Sequence, residues 1–439
     1  MKKLCSILAL VLFLAPCQAA PLTLEKCLEI AGKYNPQIIT AKEKIGIASA
    51  KMGQAGSALL PQITGNLSSG KNFTKPMTVT LPPSMGGGTF STTPNEPSDV
   101  MSYSGTVSQL LFSGGQIMQA VSAAKVGYDI SLQEYKKTKN DVEYNVISSY
   151  FDVLKAKKTV SIVEETKNYL ARYVRQTELF NRSGLASSAD VLRARAELAN
   201  SMVSKISAQT GLEAAKLVLA ANLGTDQGSD FDVAELEGPY YRDRELTSKE
   251  ILDSAFKNRP EWLSFKMGLK VASDAIIYSY GSYLPVVMYQ YSAGMNSTKY
   301  KQAGLNFDLD NWRSMIVASW SPFDGFRTAN VIREAYAALN TAKAQEQTLK
   351  DVITLEVKTS LLTLTGNRER VKAAEIARDL AKKALRLSEL GYKANTTSNL
   401  SYLEALLANF RAENSLWNSI YDLEISKARV NKTTGERFF

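Results

Sequence analysis

Two very long helical patterns dominate the chain. From residue 117 to about residue 182, apolar side chains recur at spacings of three and four, so that seven- and eleven-residue repeats alternate. This mixture averages close to the period of a straight α-helix, which therefore need not supercoil strongly. At 1.5 Å per residue the helix would span on the order of 100 Å. A second helical pattern follows over about residues 189–222, which predicts a long helical hairpin.

Four shorter stretches alternate with a period of two and predict β-strands. In the last of them, Trp312, Ile316 and Trp320 share one face and Arg313 lies opposite. Each strand has ten to twelve residues, a length that crosses a membrane at a tilt of about 45°. The loop between the first two strands contains five prolines and three consecutive glycines and is predicted to lie at the surface. The predicted strands cover about residues 62–71, 101–112, 286–296 and 312–322, with the loop at 73–100.

The second half of the chain repeats the first. At an offset of 224 residues, Pro36 and Pro61 correspond to Pro260 and Pro285. From Gly114 onwards the offset is 211 residues, and the change of 13 falls in the loop between the strands. The two repeats are expected to form one fold rather than independent domains. The predicted divisions are a first repeat over residues 20–224, a connector over 225–245 and a second repeat over 246–439.

Each long hairpin is predicted to end in a polar tip. The first tip covers about residues 181–190, where Gly184 can adopt the left-handed conformation of a helix end. Ser187 or Ser188 can then cap the next helix. The second tip covers about residues 392–401 and takes the same place in the second repeat.

The first residues are typical of an export signal. Two lysines precede a twelve-residue apolar run, and small residues around Ala19 offer a cleavage site, so residues 1–19 are predicted to be a signal peptide. A lipoprotein signal modified on Cys17 is the rival interpretation, and Pro16 argues against it. After the signal, no apolar run reaches the eighteen residues expected of a transmembrane helix.

Composition narrows the chemistry that the chain can perform. Histidine is absent, which excludes Ser-His-Asp and Cys-His catalysis and zinc sites that use histidine. No glycine-rich loop of the Walker or dinucleotide-binding type is present. Asp308 with Asp310, and Asp230 with Asp232, are interpreted as turn residues rather than metal ligands. We therefore predict no enzyme activity, no catalytic residue, no metal site and no cofactor.

Charge and cysteine content fit an exported protein with solvated helices. The formal net charge is +9, and the basic residues alternate with acids along the helices. This pattern favours solvated helix faces over binding to nucleic acid. Beyond the signal, Cys27 is the only cysteine, so the chain is not expected to form an internal disulfide.

Four strands cannot close a membrane-spanning sheet alone. An open strand edge in hydrocarbon leaves backbone groups without partners, so the sheet must belong to a closed barrel. The smallest single-chain barrels use about eight strands. The chain must therefore oligomerise, giving eight strands as a dimer or twelve as a trimer, with the long helices forming the wall of a tube.

The ordered set of motifs resembles the TolC-type outer-membrane efflux protein family over essentially the whole mature chain. The set comprises the duplicated plan, a Leu-Pro pair before each strand pair, the Phe-Ser-Gly-Gly turn that begins at Phe112, and the tip sequences that contain Gly184 and Asn395. The resemblance implies an α+β membrane protein of the outer membrane. It would be a homotrimer with a shared twelve-stranded transmembrane β-barrel and a periplasmic α-barrel of long hairpins. It implies a passive exit duct for an inner-membrane pump, joined through a periplasmic adaptor, with cargo that ranges over drugs, metals and proteins.

The resemblance also points to particular tip residues. In relatives, two acids three residues apart narrow the tunnel near the second tip. The matching positions here are Ser401 and Glu404, so one acid remains; a three-fold ring of Glu404 would attract cations, whereas a solvated hairpin face is the alternative. The positions expected to meet an adaptor are Gly184, Leu185, Asp190, Asn395 and Thr396.

Two further classes of protein compete with the duct. A periplasmic adaptor would show one hairpin within β-rich domains, and a coiled-coil scaffold would lack alternating aromatic strands. Neither accounts for two hairpins with two strand pairs.

Overall fold

The computed structural model of the chain describes residues 21–225, 228, 230–235, 238–241, 244, 247–394 and 396–439. The predicted signal peptide with Cys17, part of the connector and Asn395 lie outside the described residues. The described chain divides into two structural units. The first comprises described residues within 1–43, 133–263 and 348–439, and the second comprises 44–132 and 264–347.

Apart from the short strands β2 and β3 of the first half, the helices and strands occur in the same order twice. The elements are α1 (Leu24–Tyr34), α2 (Pro36–Ser57), β1 (Gln62–Asn72), β2 (Thr78–Leu81), β3 (Gly88–Ser91), β4 (Ser98–Ser113), α3 (Gln116–Arg182), α4 (Ser188–Leu223), α5 (Ser248–Asn258), α6 (Pro260–Tyr280), β5 (Val286–Tyr300), β6 (Leu305–Ser319), α7 (Arg327–Lys393) and α8 (Asn399–Thr434). Helices α3 and α7 each contain 67 residues, and α4 and α8 each contain 36. The two predicted long hairpins are therefore present and equal in length.

Each repeat contains the same tight corner where a long hairpin ends. The chain bends at Asn35 because proline at the next position disfavours helical angles there. Gly224 ends α4 with φ +74° and lies against this bend, so that an added Cβ would sit 2.6 Å from the carbonyl oxygen of Tyr34. In the second repeat, Gly435 ends α8 with φ +71°, and its added Cβ would lie 3.0 Å from the carbonyl oxygen of Asn258.

The first unit contains two equivalent core clusters, one beneath the short first helix of each repeat. Cys27 and Ala31 on α1 are buried against Val146 on α3, and Leu24 and Tyr150 belong to the same cluster. The positions that match Cys27, Ala31, Val146 and the buried Leu219 by the repeat offsets form a second cluster: Ile251, Ala255, Val357 and Val430. The amphipathic α1 and α5 thus each cover the apolar side of a long helix, which is the burial that stabilises a helix in water.

A buried ion pair fastens the connector to α8. Lys427 and Glu424 are only 2% and 3% exposed, and their Nζ and Oε1 atoms are 2.8 Å apart. Glu424 also accepts the N–H of Tyr241 at 3.0 Å, and Lys427 donates to the Tyr241 carbonyl oxygen at 3.2 Å. Both charges therefore have polar partners, as burial requires.

Four strands form one antiparallel sheet in the order β1-β4-β5-β6. Strand β4 of the first repeat pairs with β5 of the second, from Asp99 opposite Lys299 to Ser113 opposite Val286. Residues that are directly opposite project to the same side of a sheet, so the pairing defines two faces.

The two faces of the sheet differ in chemistry. We call one the apolar face, because most of its side chains are apolar or aromatic: Ile63, Leu67, Met101, Tyr103, Val107, Phe112, Val287, Tyr289, Tyr291, Met295, Trp312 and Ile316. The other, the polar face, carries Gln62, Thr64, Asn66, Ser68, Ser102, Ser104, Thr106, Ser108, Gln290, Ser292, Asn296, Thr298, Asn311 and Arg313 through its middle, with apolar residues nearer its ends.

Two sequence predictions about the strands were wrong. The last strand was expected over about 312–322 and runs instead over Leu305–Ser319. Its apolar residues lie on one face up to Leu309, whereas Trp312 and Ile316, which carry the predicted alternation, lie on the other face. An alternating pattern that is followed along one face therefore misses the first part of the strand. Asp308 and Asp310, expected in a loop, lie within this strand and pair with β5.

The predicted surface loop at 73–100 also has more structure than its composition indicated. It contains the β2–β3 hairpin, and β4 already begins at Ser98. Glu96, which is 6% exposed, accepts the N–H groups of Gln302 and Ala303 at 2.9 and 2.8 Å. These residues form the β5–β6 turn, so the long loop of the first repeat is fastened to the short turn of the second.

Within the described ranges, no helix is both long enough and apolar enough to span a membrane.

Candidate functional site

The first hairpin tip is a tight turn between α3 and α4. Gly184 has φ +75° and open space around its Cα, and the N–H of Leu185 donates to the carbonyl oxygen of Phe180 at 2.8 Å. Ser187 caps α4: its hydroxyl accepts the N–H of Asp190 at 3.1 Å, and the Asp190 carboxylate accepts the N–H of Ser187 at 3.1 Å. This reciprocal capping box fixes the start of α4.

Asp190 remains charged well into the acidic range. The hydrogen bond from the Ser187 hydroxyl lowers the pKa of this carboxyl, with further contributions from the Ser187 N–H, the Asn399 side chain and the Arg193 charge. A lowered pKa means that the capping interaction contributes its stability above the unfolded pKa and loses it as pH falls through the folded pKa. At neutral pH the first tip therefore presents a fixed negative charge.

The second tip joins α7 to α8 by a different turn. The N–H and hydroxyl of Thr396 both donate to the carbonyl oxygen of Gly391, at 2.8 and 3.1 Å. Ser398 caps α8 by accepting the N–H of Ser401 at 3.1 Å. Asn395, one of the predicted docking residues, is outside the described part of the chain.

An aromatic cluster packs the two tips together. The rings of Tyr392 and Tyr402 are stacked with centroids 5.1 Å apart, and Phe180 lies 5.3 Å from Tyr392. Tyr173 packs against both tyrosines and donates its hydroxyl to the Asn399 carbonyl oxygen at 3.1 Å. Burial raises the pKa of Tyr173 above its ordinary value, so this cluster stays uncharged at any physiological pH.

Ser401 and Glu404 lie on the exposed side of the first turns of α8. Tyr402, Leu403 and Leu406 occupy the buried side. Because residues three and four apart share a face of a helix, the exposed stripe continues from Glu404 to Arg411, which is also exposed. The stripe therefore carries one acid near the tip and one base about 10 Å further along the helix.

The model for the family described as outer membrane efflux protein matches residues 28–225 and 251–436. The chain belongs to this family.

Individual relatives can be aligned with most of the length of this efflux protein. The outer membrane protein TolC of Vibrio cholerae is 22% identical over 409 residues, covering 92% of this chain and 89% of the relative. The outer membrane efflux protein BepC of Brucella suis is 22% identical over 373 residues, covering 81% and 74%. The crystal structure of the Campylobacter jejuni CmeC outer membrane channel has a TM-score of 0.80 at 18% identity, covering 95% of this chain and 87% of that one.

Family membership confirms several sequence predictions about this efflux protein. It is an exit duct of the outer membrane, built from duplicated long helical hairpins and four long strands. The alternatives of a periplasmic adaptor or a coiled-coil scaffold were wrong, because the family match covers both repeats and their strands.

The structure adds residues that sequence reasoning missed at the tips of this efflux protein. The contact between Tyr173 and Tyr392 joins residues 219 positions apart, so no local pattern could reveal it; the only local signal was that Tyr392 and Tyr402 flank the second tip. Arg411 was also missed, although its spacing of seven from Glu404 places both on one helix face.

Proposed function

We propose that three copies of the chain close their sheets into one twelve-stranded barrel that spans the outer membrane. The observation that carries this proposal is the four-stranded sheet, with one apolar and one polar face and with β1 and β6 at its edges. In lipid the open edges would leave backbone groups unsatisfied, so β6 of one copy would pair with β1 of the next. The apolar face would contact lipid, and the polar face would line water.

The purified protein should form trimers in detergent and conduct ions when it is added to a planar lipid bilayer. Trimer mass is measured by native mass spectrometry, and conductance by single-channel recording, with heat-denatured protein as the control. A monomer that never conducts would overturn the proposal, and a conducting dimer would replace twelve strands by eight.

We also propose that the duct is passive and takes its energy from its partners, a periplasmic adaptor and an inner-membrane pump. The chain offers no histidine for acid-base work. The exit of cargo would need only a continuous aqueous path, and the direction of transport would come from the pump. Nucleic acid has no part in this scheme.

The hairpin tips are the proposed docking surface for the adaptor. Leu185 is 58% exposed, and Gly184 has no neighbouring side chain within 4 Å of its missing Cβ. Asp190, Thr396 and Asn395 complete the set of proposed docking positions. An exposed leucine on a rigid turn can enter an apolar pocket of a partner with little loss of conformational freedom, which favours binding.

Leu185→Ser should therefore weaken binding of the purified duct to its adaptor by about 10-fold, because it removes apolar area worth roughly 1–2 kcal/mol. Biolayer interferometry with the immobilised adaptor measures the affinity. Leu362→Ser, which alters a leucine of comparable exposure on α7, is the matched control. Equal affinity of both variants and the unaltered duct would count against docking at this tip.

Ser401 and Glu404 are the proposed lining of the periplasmic aperture. In a trimer, three copies of Glu404 on the exposed stripe of α8 would form a ring of negative charge. Glu404→Gln should lower the preference for cations over anions by about 2-fold or more in dilute salt and weaken block by divalent cations. Reversal potentials in a KCl gradient measure this preference, and Glu404→Asp, which keeps the charge, should change it little. Unaltered selectivity and block in Glu404→Gln would instead favour a solvated helix face.

A further inference from the structure

The polar face of the sheet is electrically almost neutral. Strands β1, β4, β5 and β6 contain 11, 16, 15 and 15 residues. On this face their polar residues are serine, threonine, asparagine, glutamine and tyrosine, together with one arginine. That residue is Arg313. The other charged side chains of these strands project to the apolar face, in the half of the sheet nearer the loops: Lys71, Asp99, Lys299, Asp308 and Asp310. Asp310 is the most central of them and lies opposite Met295.

Arg313 lies near the middle of β6. It is directly opposite Ser292, which is opposite Thr106, which in turn is opposite Thr64. The guanidinium is exposed, and among the described residues no acid forms an ion pair with it. A row of hydroxyl groups with one unneutralised cation therefore crosses the polar face.

The charge of Arg313 is compatible with the lumen side of a membrane-spanning sheet and not with the lipid side. An arginine at the middle of a membrane-spanning strand is strongly unfavourable on the lipid side, whereas substitutions on the lumen side set selectivity. Mid-strand Arg313 on the hydroxyl-rich face therefore belongs to the aqueous side of the wall, while Trp312 and Ile316 face lipid.

We infer that Arg313 is a selectivity-determining residue of the duct: three copies form a cationic ring inside the barrel that favours anionic solutes. The inference rests on the proposed trimeric closure. Three sheets of four strands, with strands about 4.8 Å apart and tilted by about 40°, close on a radius of roughly 12 Å. The arginine side chains extend inward from that wall, so the barrel axis lies within about one Debye length of all three charges at physiological salt.

The ring acts by electrostatic attraction and not by a tight binding site. Screened Coulomb interactions of three charges in water change the preference for anions over cations by about 2- to 5-fold near 0.1 M salt. At 1 M salt the Debye length falls to about 3 Å, and the preference should vanish. Within the barrel the ring therefore lowers the entry barrier for organic and inorganic anions, whereas the proposed Glu404 ring favours cations at the periplasmic aperture.

Reversal potentials across planar bilayers test the ring. In dilute KCl, Arg313→Gln should lower the ratio of chloride to potassium permeability by about 2- to 5-fold, and Arg313→Lys should preserve the ratio. Arg313→Glu should lower the ratio further than Arg313→Gln does, because it places three negative charges in the barrel. Lys299→Gln removes the same charge from the apolar face and should leave the ratio unaltered. All differences should disappear in about 1 M KCl.

A second experiment keeps the inference testable if these variants assemble poorly. Arg313→Cys is recorded before and after reaction with a methanethiosulfonate that carries either a trimethylammonium or a sulfonate group, so each channel serves as its own reference. The native thiol should not interfere, because Cys27 is fully buried and burial, with the nearby Glu25 charge, raises its pKa to about 12. The cationic adduct should increase anion preference and the anionic adduct should reverse it.

Trimeric closure and the arginine ring can fail independently of each other. If the unaltered protein neither forms trimers nor conducts, the proposed closure fails. If it conducts and neither Arg313→Gln nor the two adducts change ion preference in dilute salt, the closure stands and the arginine ring is wrong.

Discussion

Replacing Lys427 by methionine should destabilise the folded protein by about 3–5 kcal/mol, because it leaves the buried Glu424 carboxylate without its cation. Among the described residues, the N–H of Tyr241, at 3.0 Å, would then be the remaining hydrogen-bond partner of that carboxylate, and one amide cannot replace an ammonium group. The change should appear as a lower midpoint of thermal unfolding, followed by circular dichroism at fixed protein and detergent concentration. The connector at Tyr241 should also become more sensitive to protease.

The internal repeat supplies a matched control for this prediction. Lys216 and Glu213 have the same spacing on α4, but their charged atoms are 3.5 Å apart and the Glu213 side chain is 51% exposed. Lys216→Met should therefore cost only about 0–1 kcal/mol. The double variant Glu424→Leu with Lys427→Met removes both charges and should be more stable than Lys427→Met alone. A double variant that is no better than the single one would show that packing, and not charge burial, explains the loss.

Gly224→Ala should destabilise the corner of the first repeat by about 2–5 kcal/mol. Two causes add: an alanine at φ +74° is strained by about 1–2 kcal/mol, and its Cβ would overlap backbone atoms at 2.6 Å from Tyr34 and 2.7 Å from Asn35. Backbone atoms cannot swing aside as a side chain can, so the bend at Asn35 itself would have to shift. Thermal unfolding under the conditions above measures the loss.

Substitutions at two other glycines distinguish the cost of backbone strain from the cost of the steric overlap. Gly435→Ala has nearly the same φ, but its nearest backbone atom is at 3.0 Å, so its loss should be intermediate. Gly184→Ala combines φ +75° with open space and should cost only the strain of about 1–2 kcal/mol. Equal losses at all three positions would mean that the contact with Tyr34 contributes nothing.

The sequence predicted those parts of the fold that depend on local periodicity. The two long hairpins follow from apolar spacings of three and four residues, and the polar turn at Gly184 follows from helix-end chemistry. The second tip, over about residues 392–401, follows from the internal repeat. The start of β6 was missed because the apolar residues change face between Leu309 and Trp312. Periodicity reports a strand only while one face stays apolar.

Other features depend on contacts that have no local signal. Glu213 with Lys216 and Glu424 with Lys427 are identical in spacing, yet the second pair is buried beneath Tyr241 and the first is not. The difference lies in where the connector passes, which a helical pattern does not record. For the same reason the proposed aperture at Ser401 and Glu404 depended on a resemblance. The sequence placed Arg313 opposite Trp312 and Ile316, but its alignment with Ser292 and Thr106 needed the strand register.

The clasp between Glu96 and the β5–β6 turn bears on how a duplicated chain of this kind evolves. Two identical half-chains could assemble in any order, and each half could be exchanged for the other. Here Glu96, in an insertion of the first half, accepts hydrogen bonds from Gln302 and Ala303 in a turn that only the second half provides. The two halves are therefore no longer interchangeable. A protein made from two copies of the first half would lack the donors, and one made from two copies of the second half would lack the Glu96 acceptor.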